Sequence, residues 1–238
     1  MCDQWMSALQ LPLTWEQFHR LPRNPAYKYE YFEDSAWLSP RPRYYHALLD
    51  LAETPREGAD AKAVLRPVVE ADWEGLAPMF AAAFERQQPF GGLEEGPREE
   101  AARKALAHTR NGGDGPRIER ASFVATEEDT AVGAILVTLL PPDDLTDWDS
   151  YHWRQPPPPD AVARRLGRPH LTWVFVSPWY VGRGVGTALL NAAARELLAL
   201  GYKELASTFL LGNESSMLWH WRNGFRLQQY PGSRRRPL

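Results

Sequence analysis

Three glycines at alternate positions, Gly182, Gly184 and Gly186, follow the run Trp173-Val174-Phe175-Val176 and precede an alanine- and leucine-rich stretch. Without Cβ atoms, several backbone N–H groups of such a turn can converge on an anion at a helix N-terminus, where pyrophosphate is the usual occupant. The same glycines also suit a plain connector, so the turn alone leaves both uses open. A Walker loop is excluded, because no Gly-Lys-Ser/Thr triplet occurs. A dinucleotide fingerprint fits poorly: the spacing is G-x-G-x-G, Thr187 comes next, and Glu204 opens the next strand, whereas the ribose-binding acid belongs near a strand's end. Ser177, Ser215 and Ser216 lack the nucleophile-elbow context of a hydrolase. His19, His46, His108 and His152 have no metal-ligand spacing, and a single cysteine, Cys2, excludes a thiolate cluster, so no metal is expected.

The glycine turn also has a family likeness. Val176-Ser177-Pro178 followed by Val181-Gly182-Arg183-Gly184-Val185-Gly186 resembles motif A of the GNAT superfamily of N-acetyltransferases: strand, V-x-P, then Q/R-x-x-G-x-G/A opening a helix. Val181 stands at the Gln/Arg position, which removes one side-chain contact to the cofactor. The backbone cradle does not need that side chain, and Arg183 keeps a positive charge in the loop. Downstream, Asn213-Glu-Ser-Ser-Met-Leu-Trp-His-Trp-Arg-Asn-Gly-Phe225 is similar to the family's N-x-x-A-x-x-x-Y-x-x-x-G-F segment. Asn213, Gly224 and Phe225 align, Ser216 takes the small position and His220 replaces the tyrosine. With the element order from Val64 onward, the resemblance spans about residues 61–238.

The resemblance implies a mixed α/β (α+β) fold of the acyl-CoA N-acyltransferase type, in which two neighbouring parallel strands splay apart to admit acetyl-CoA. Here those strands are Leu171–Val176 and Glu204–Leu210. Phe175, Val176, Val181, Gly182, Arg183, Gly184, Val185, Gly186, Thr187 and Asn213 would then contact the cofactor. The Val176 amide would polarise the thioester carbonyl. The acceptor, a small-molecule or peptide primary amine, would attack directly without a covalent enzyme intermediate. His220 would serve as the general acid for the thiolate, as imidazolium or as a neutral tautomer; the alternative is that it packs between Trp219 and Trp221. Many relatives carry a Glu on the strand that here reads Leu-Thr-Trp-Val-Phe-Val, and this one has none. Water, His170, or acids of the insertion 141–170 are the alternatives for the base. Within that insertion Asp143, Asp144, Asp147 and Asp149 lie beside Trp148, Tyr151 and Trp153, which would attract a cationic amine or form a solvated loop. Asp147, Trp148 and Asp149 are the candidate acceptor contacts. A catalytically silent CoA-binding sensor or interaction module is the alternative function.

The surrounding elements must hold that turn. Leu76, Met79, Phe80, Ala83 and Phe84 recur at helical spacing after Asp72, which is expected to cap the helix. A second helix runs from Arg98 to Arg110. Ala121–Thr126 and Ala131–Leu140 read as a hairpin, and Gly186–Leu200 as the helix after the glycine turn. Residues 1–60 read as a separate aromatic-rich arm and linker. Thr14 and Gln17 have capping-box spacing, Tyr27–Phe32 and Ala36–Ser39 read as a hairpin, and Tyr44–Leu51 as a short helix. This arm is similar to the opening of Uma-family restriction-type endonucleases, but the carboxylate–lysine core of such nucleases has no room to follow.

Composition is that of an ordinary globular protein and rules out wholesale disorder. Of 238 residues, 44% are hydrophobic and 24% charged. A net charge of −3 argues against nucleic acid or an anionic membrane as a partner. No apolar run of about eighteen residues and no basic, apolar leader occurs, so a cytoplasmic location is the expectation. A homodimer is left open.

Overall fold

The computed structural model describes residues 9–22, 27–40, 44–53, 63–87, 90–142, 153, 155–210 and 213–228. The first half of the chain runs β1 (Leu9–Leu11), α1 (Trp15–Arg20), β2 (Tyr27–Phe32), β3 (Ser35–Pro40), β4 (Tyr44–Asp50), β5 (Val64–Pro67), α2 (Asp72–Ala83) and α3 (Glu95–Arg110). It continues with β6 (Phe123–Glu127), β7 (Thr130–Leu140), β8 (Arg168–Val176), α4 (Val185–Ala199), β9 (Glu204–Leu210), α5 (Glu214–Arg222) and β10 (Arg226–Leu227). No described helix is long and apolar enough to cross a membrane.

Local signals set most of these elements. Thr14 accepts from the Gln17 N–H while the Gln17 side chain accepts from the Thr14 N–H, completing the capping box of α1. Glu33–Asp34 and Glu128–Asp129 turn the β2–β3 and β6–β7 hairpins, all four at positive φ as two-residue turns of matching twist require. Asp72 does not cap α2 from outside. It lies in the first turn, where its carboxylate accepts from the Val69 N–H and from both terminal nitrogens of Arg66, tying β5 to the helix.

β1, β3 and β2 form a small antiparallel sheet, and seven strands form the main one in the order β10-β4-β9-β8-β7-β6-β5. Every neighbouring pair in it is antiparallel except β8 and β9, which α4 connects as a crossover. The expected helix over Tyr44–Leu51 is therefore a strand. β4 pairs along its whole length with β9, burying Ala47 (2% exposed) and Leu49 (0%). Alternation of Tyr45, Ala47 and Leu49 toward the core outweighs the helical propensity of Ala-Leu-Leu.

Helices cover the two faces with separate cores. α4 and α5 pack on one face with Leu171, Leu189, Leu205 and Phe209. α2 and α3 pack on the other around Phe80, Leu106, Leu136 and Phe175. β7 is buried on both faces, which explains its almost unbroken apolar run.

Candidate active site

β8 and β9 are joined only through His170–Ala206 and Leu171–Ser207. Beyond that point Thr172–Val176 and Thr208–Leu210 continue without pairing to each other, so a wedge opens in the middle of the sheet. Its cause lies in register. Leu136 and Val137 of β7 face Trp173 and Leu171 of β8, which leaves Thr172 as an extra residue in a β-bulge. A bulge bends its strand and re-aims the residues beyond it, and here it coincides with the divergence of β8 from β9.

The bulge also decides which backbone groups face the wedge. The Ser177 N–H donates to the Val132 carbonyl at 2.9 Å. Alternation along the antiparallel ladder then gives the Phe175 groups to β7 and turns those of Val174 and Val176 toward β9. The backbone groups of Val176 and Val174 thus both face the wedge. Phe175 is turned the other way: its side chain packs on Phe80 with ring centroids 5.1 Å apart, and its amide faces β7. Sequence patterning gives no view of a register shift, and so no signal that would single out Val174.

The glycine turn lies at the end of β8. Pro178–Tyr180 makes a short 3-10 turn, Gly184 takes φ 79° as the N-cap of α4, and no side chain caps that helix. The first-turn amides of Val185, Gly186 and Thr187 therefore lack an intrahelical acceptor and point out of the helix end. A Cβ on Gly186 would come within 3.1 Å of the Trp219 Nε1, so a larger residue there would press on α5 where glycine lets it lie close to α4. Val181 is 69% exposed and Val185 is buried in the core, so neither valine offers a polar contact beyond its backbone. The Arg183 guanidinium lies 4.8 Å from the centre of the Tyr180 ring. The Tyr180 hydroxyl in turn donates to the Glu127 carboxylate, which with desolvation raises its pKa. The oxygen of Asn213 caps α5, accepting from the Ser216 N–H and the Ser215 hydroxyl.

His220 is buried (3% exposed). Its Nδ1 lies 2.7 Å from the Ser216 carbonyl oxygen and its Nε2 lies 2.8 Å from the Ser207 hydroxyl. A carbonyl only accepts, so Nδ1 carries the proton and Nε2 accepts from Ser207. Burial lowers its pKa to about 4, against the opposing pull of the Ser216 carbonyl. Burial, rather than the hydrogen bonds, counts against the imidazolium donor. The ring also stacks on Phe209, at 4.3 Å, as well as meeting Trp219; Trp221 points to solvent.

On the opposite face of the same strands, His170 is part of β8 rather than ahead of it. It lies between Thr172 and Thr208, each 3.2 Å from a ring nitrogen. Asp147, Trp148 and Asp149 lie outside the described residues. Among the described residues, no cluster of His, Cys, Asp or Glu has the makings of a metal site.

This wedge, bulge and uncapped helix can be set against known proteins. The model of the acetyltransferase (GNAT) family matches residues 77–225. The chain belongs to the GNAT family. A GCN5-related N-acetyltransferase from Sphaerobacter thermophilus matches with TM-score 0.50 and 16% identity, over 79% of this chain and 50% of that one. The PaiA N-acetyltransferase from Thermoplasma acidophilum, solved in complex with coenzyme A, matches with TM-score 0.50 and 15% identity, over 72% and 94%. This GNAT chain thus spans half the length of the Sphaerobacter protein, and at these identities the likeness speaks for the fold alone. No curated protein matches.

Proposed function

We propose that this protein is an acetyl-CoA-dependent N-acetyltransferase acting on a primary amine by direct attack. The observation that carries the reading is the wedge: two parallel strands that part after two residue pairs, beside a helix whose first amides are uncapped. The residues present fit acetyl-CoA. The turn 181–187 would hold its pyrophosphate through backbone N–H groups, with Arg183 adding charge, and the inward groups of Val174 and Val176 would pair with pantetheine as a strand would. Acetyl-CoA supplies an acetyl group already activated as a thioester.

The protein's part is to orient and to stabilise. A Val174 or Val176 N–H aimed at the carbonyl oxygen stabilises the charge that develops there. Val174 is nearer the vertex of the wedge, and the pyrophosphate turn lies beyond Val176, so Val174 is the better placed for the thioester end. Asn213 acts through its cap of α5, and His220 by fixing α5 to β9. Holding amine and thioester together supplies much of the acceleration in such reactions. A silent CoA-binding module is the second reading, favoured by the neutral, committed state of His220.

Two measurements on the full chain test the proposal. Acetyl-CoA should raise the melting temperature, and thiol should be released only when a primary amine from a panel of alkyl, aryl and peptide amines is present. Binding without release for every amine would leave the silent module. No binding would end both readings.

A further inference from the structure

The two faces of the wedge are not equivalent. On one, Val174 and Val176 pack into the core with Val185 and Leu189, and Trp219 closes the layer from α5. Among the described residues this face is packed with apolar side chains. On the other face the apolar floor under α2 reaches as far as Trp173 and Phe175 and then stops. Beyond it that face carries a polar group of side chains, Thr138, Thr172, His170 and Thr208, with His46 opposite Thr208 on β4.

These groups form a connected line. Thr172, the residue the bulge adds, has its hydroxyl 3.2 Å from His170 Nδ1 and 2.8 Å from the Thr138 hydroxyl. His170 Nε2 lies 3.2 Å from the Thr208 hydroxyl. The ring itself is 7% exposed, whereas Thr172 and Thr208 are both partly open to solvent. A buried imidazole therefore joins the hydroxyls of two partly exposed residues, one at the vertex of the wedge and one across on β9. No carboxylate lies on β8, so a protonated amine arriving there meets no static base on that strand.

We propose that Thr172, His170 and Thr208 form a proton relay that deprotonates the acceptor amine, a role that rests on the acetyl-transfer reading. The acceptor arrives as an ammonium. One N–H bond breaks and its electron pair stays on nitrogen as the nucleophilic lone pair. Thr172 Oγ1 takes the proton while its own passes to His170 Nδ1. His170 gives its Nε2 proton to Thr208 Oγ1, whose own leaves to water. The ring has exchanged one tautomer for the other and carries no net charge. Once product has gone, a proton passing from the Thr208 end to water at the Thr172 end restores the first tautomer. Burial, with the nearby His46 and His220, lowers the pKa of His170 to about 3, so the ring is suited to passing a proton and not to storing one.

His170→Gln, Thr172→Val and Thr208→Val in the full chain test the relay. Benzylamine is an ammonium at neutral pH and must lose a proton before it attacks; aniline is already neutral. With benzylamine, kcat should fall by about 100-fold in His170→Gln and Thr172→Val, the scale of a lost proton-transfer path. With aniline the loss should stay under about threefold by the same reasoning. Calorimetric affinity for acetyl-CoA should not change. In the ligand-free chain, 15N NMR should find His170 neutral, with Thr172→Val moving the Nδ1 shift and Thr208→Val the Nε2 shift. That arm does not depend on which amine is accepted.

Equal losses on both amines, or no loss on benzylamine, would overturn the relay and leave acetyl transfer standing. So would a ring charged at neutral pH or indifferent to both valine substitutions. If the unmodified chain binds no acetyl-CoA, the acetyl-transfer reading falls and the relay with it.

Discussion

At residue scale, what a histidine can do is set by what its two nitrogens already hold. Motif alignment places His220 at the family's tyrosine and so suggests an acid. The alignment carries no information about Ser207, thirteen residues away on β9, or about the Ser216 carbonyl one helical turn back. Those two partners use both nitrogens, and burial keeps the ring neutral. Its exchange for phenylalanine should act on folding before chemistry. Ser207, 2% exposed, would lose its acceptor at a cost of about 1–3 kcal/mol. Denaturant unfolding of His220→Phe should show that loss, while kcat for acetyl transfer to a weakly basic amine stays within about threefold, far from the effect of removing a general acid. A variant that is equally stable but about 100-fold slower would return His220 to the role of acid.

At the scale of elements, the glycine turn and its helix are legible in the sequence because they rest on local chemistry: glycines where φ is positive, an apolar helix after them. The bulge at Thr172 and the loss of pairing after Leu171 are not, because they arise from how two strands align with a third. The strand Tyr44–Asp50 escapes sequence reading for a related reason: its neighbours β9 and β10 lie more than 150 residues away, and β structure draws its stability from such partners. The contact between α4 and α5 gives a direct test of the turn. Gly182 has open space around a Cβ and only its φ of 81° to oppose one, whereas Gly186 faces Trp219 and Val176. Gly186→Val should overpack this junction by about 1–3 kcal/mol and push the first turn of α4 away from β8. Acetyl-CoA affinity, measured by calorimetry, should fall at least tenfold in Gly186→Val and by less in Gly182→Ala. Equal affinities in the two variants would mean that the α4 N-terminus does not hold the cofactor.

At the scale of the molecule, three histidines join parts that the sequence divides. His46 lies on β4, in the segment read as an arm; His170 lies on β8 and His220 on α5. All three have pKa values lowered by burial, to about 4, 3 and 4 respectively, with the other two histidines adding to the shift at His170. Unfolded, each returns to about 6.5. Between these limits the unfolded chain binds more protons, so stability is complete above about pH 6.5 and is lost as pH falls toward 4. Each histidine that is fully desolvated steepens the fall by about 1.4 kcal/mol per pH unit, and the partly exposed His46 by less. Urea midpoints from pH 7.5 to 4.5 should therefore drop more steeply in the unmodified chain than in His170→Gln or His220→Gln. His46→Gln should flatten the curve too, though less. That last variant carries the most weight, because His46 shares in the effect only if β4 is seated beside β9; a slope unchanged by its loss would put Tyr44–Asp50 outside the folded sheet.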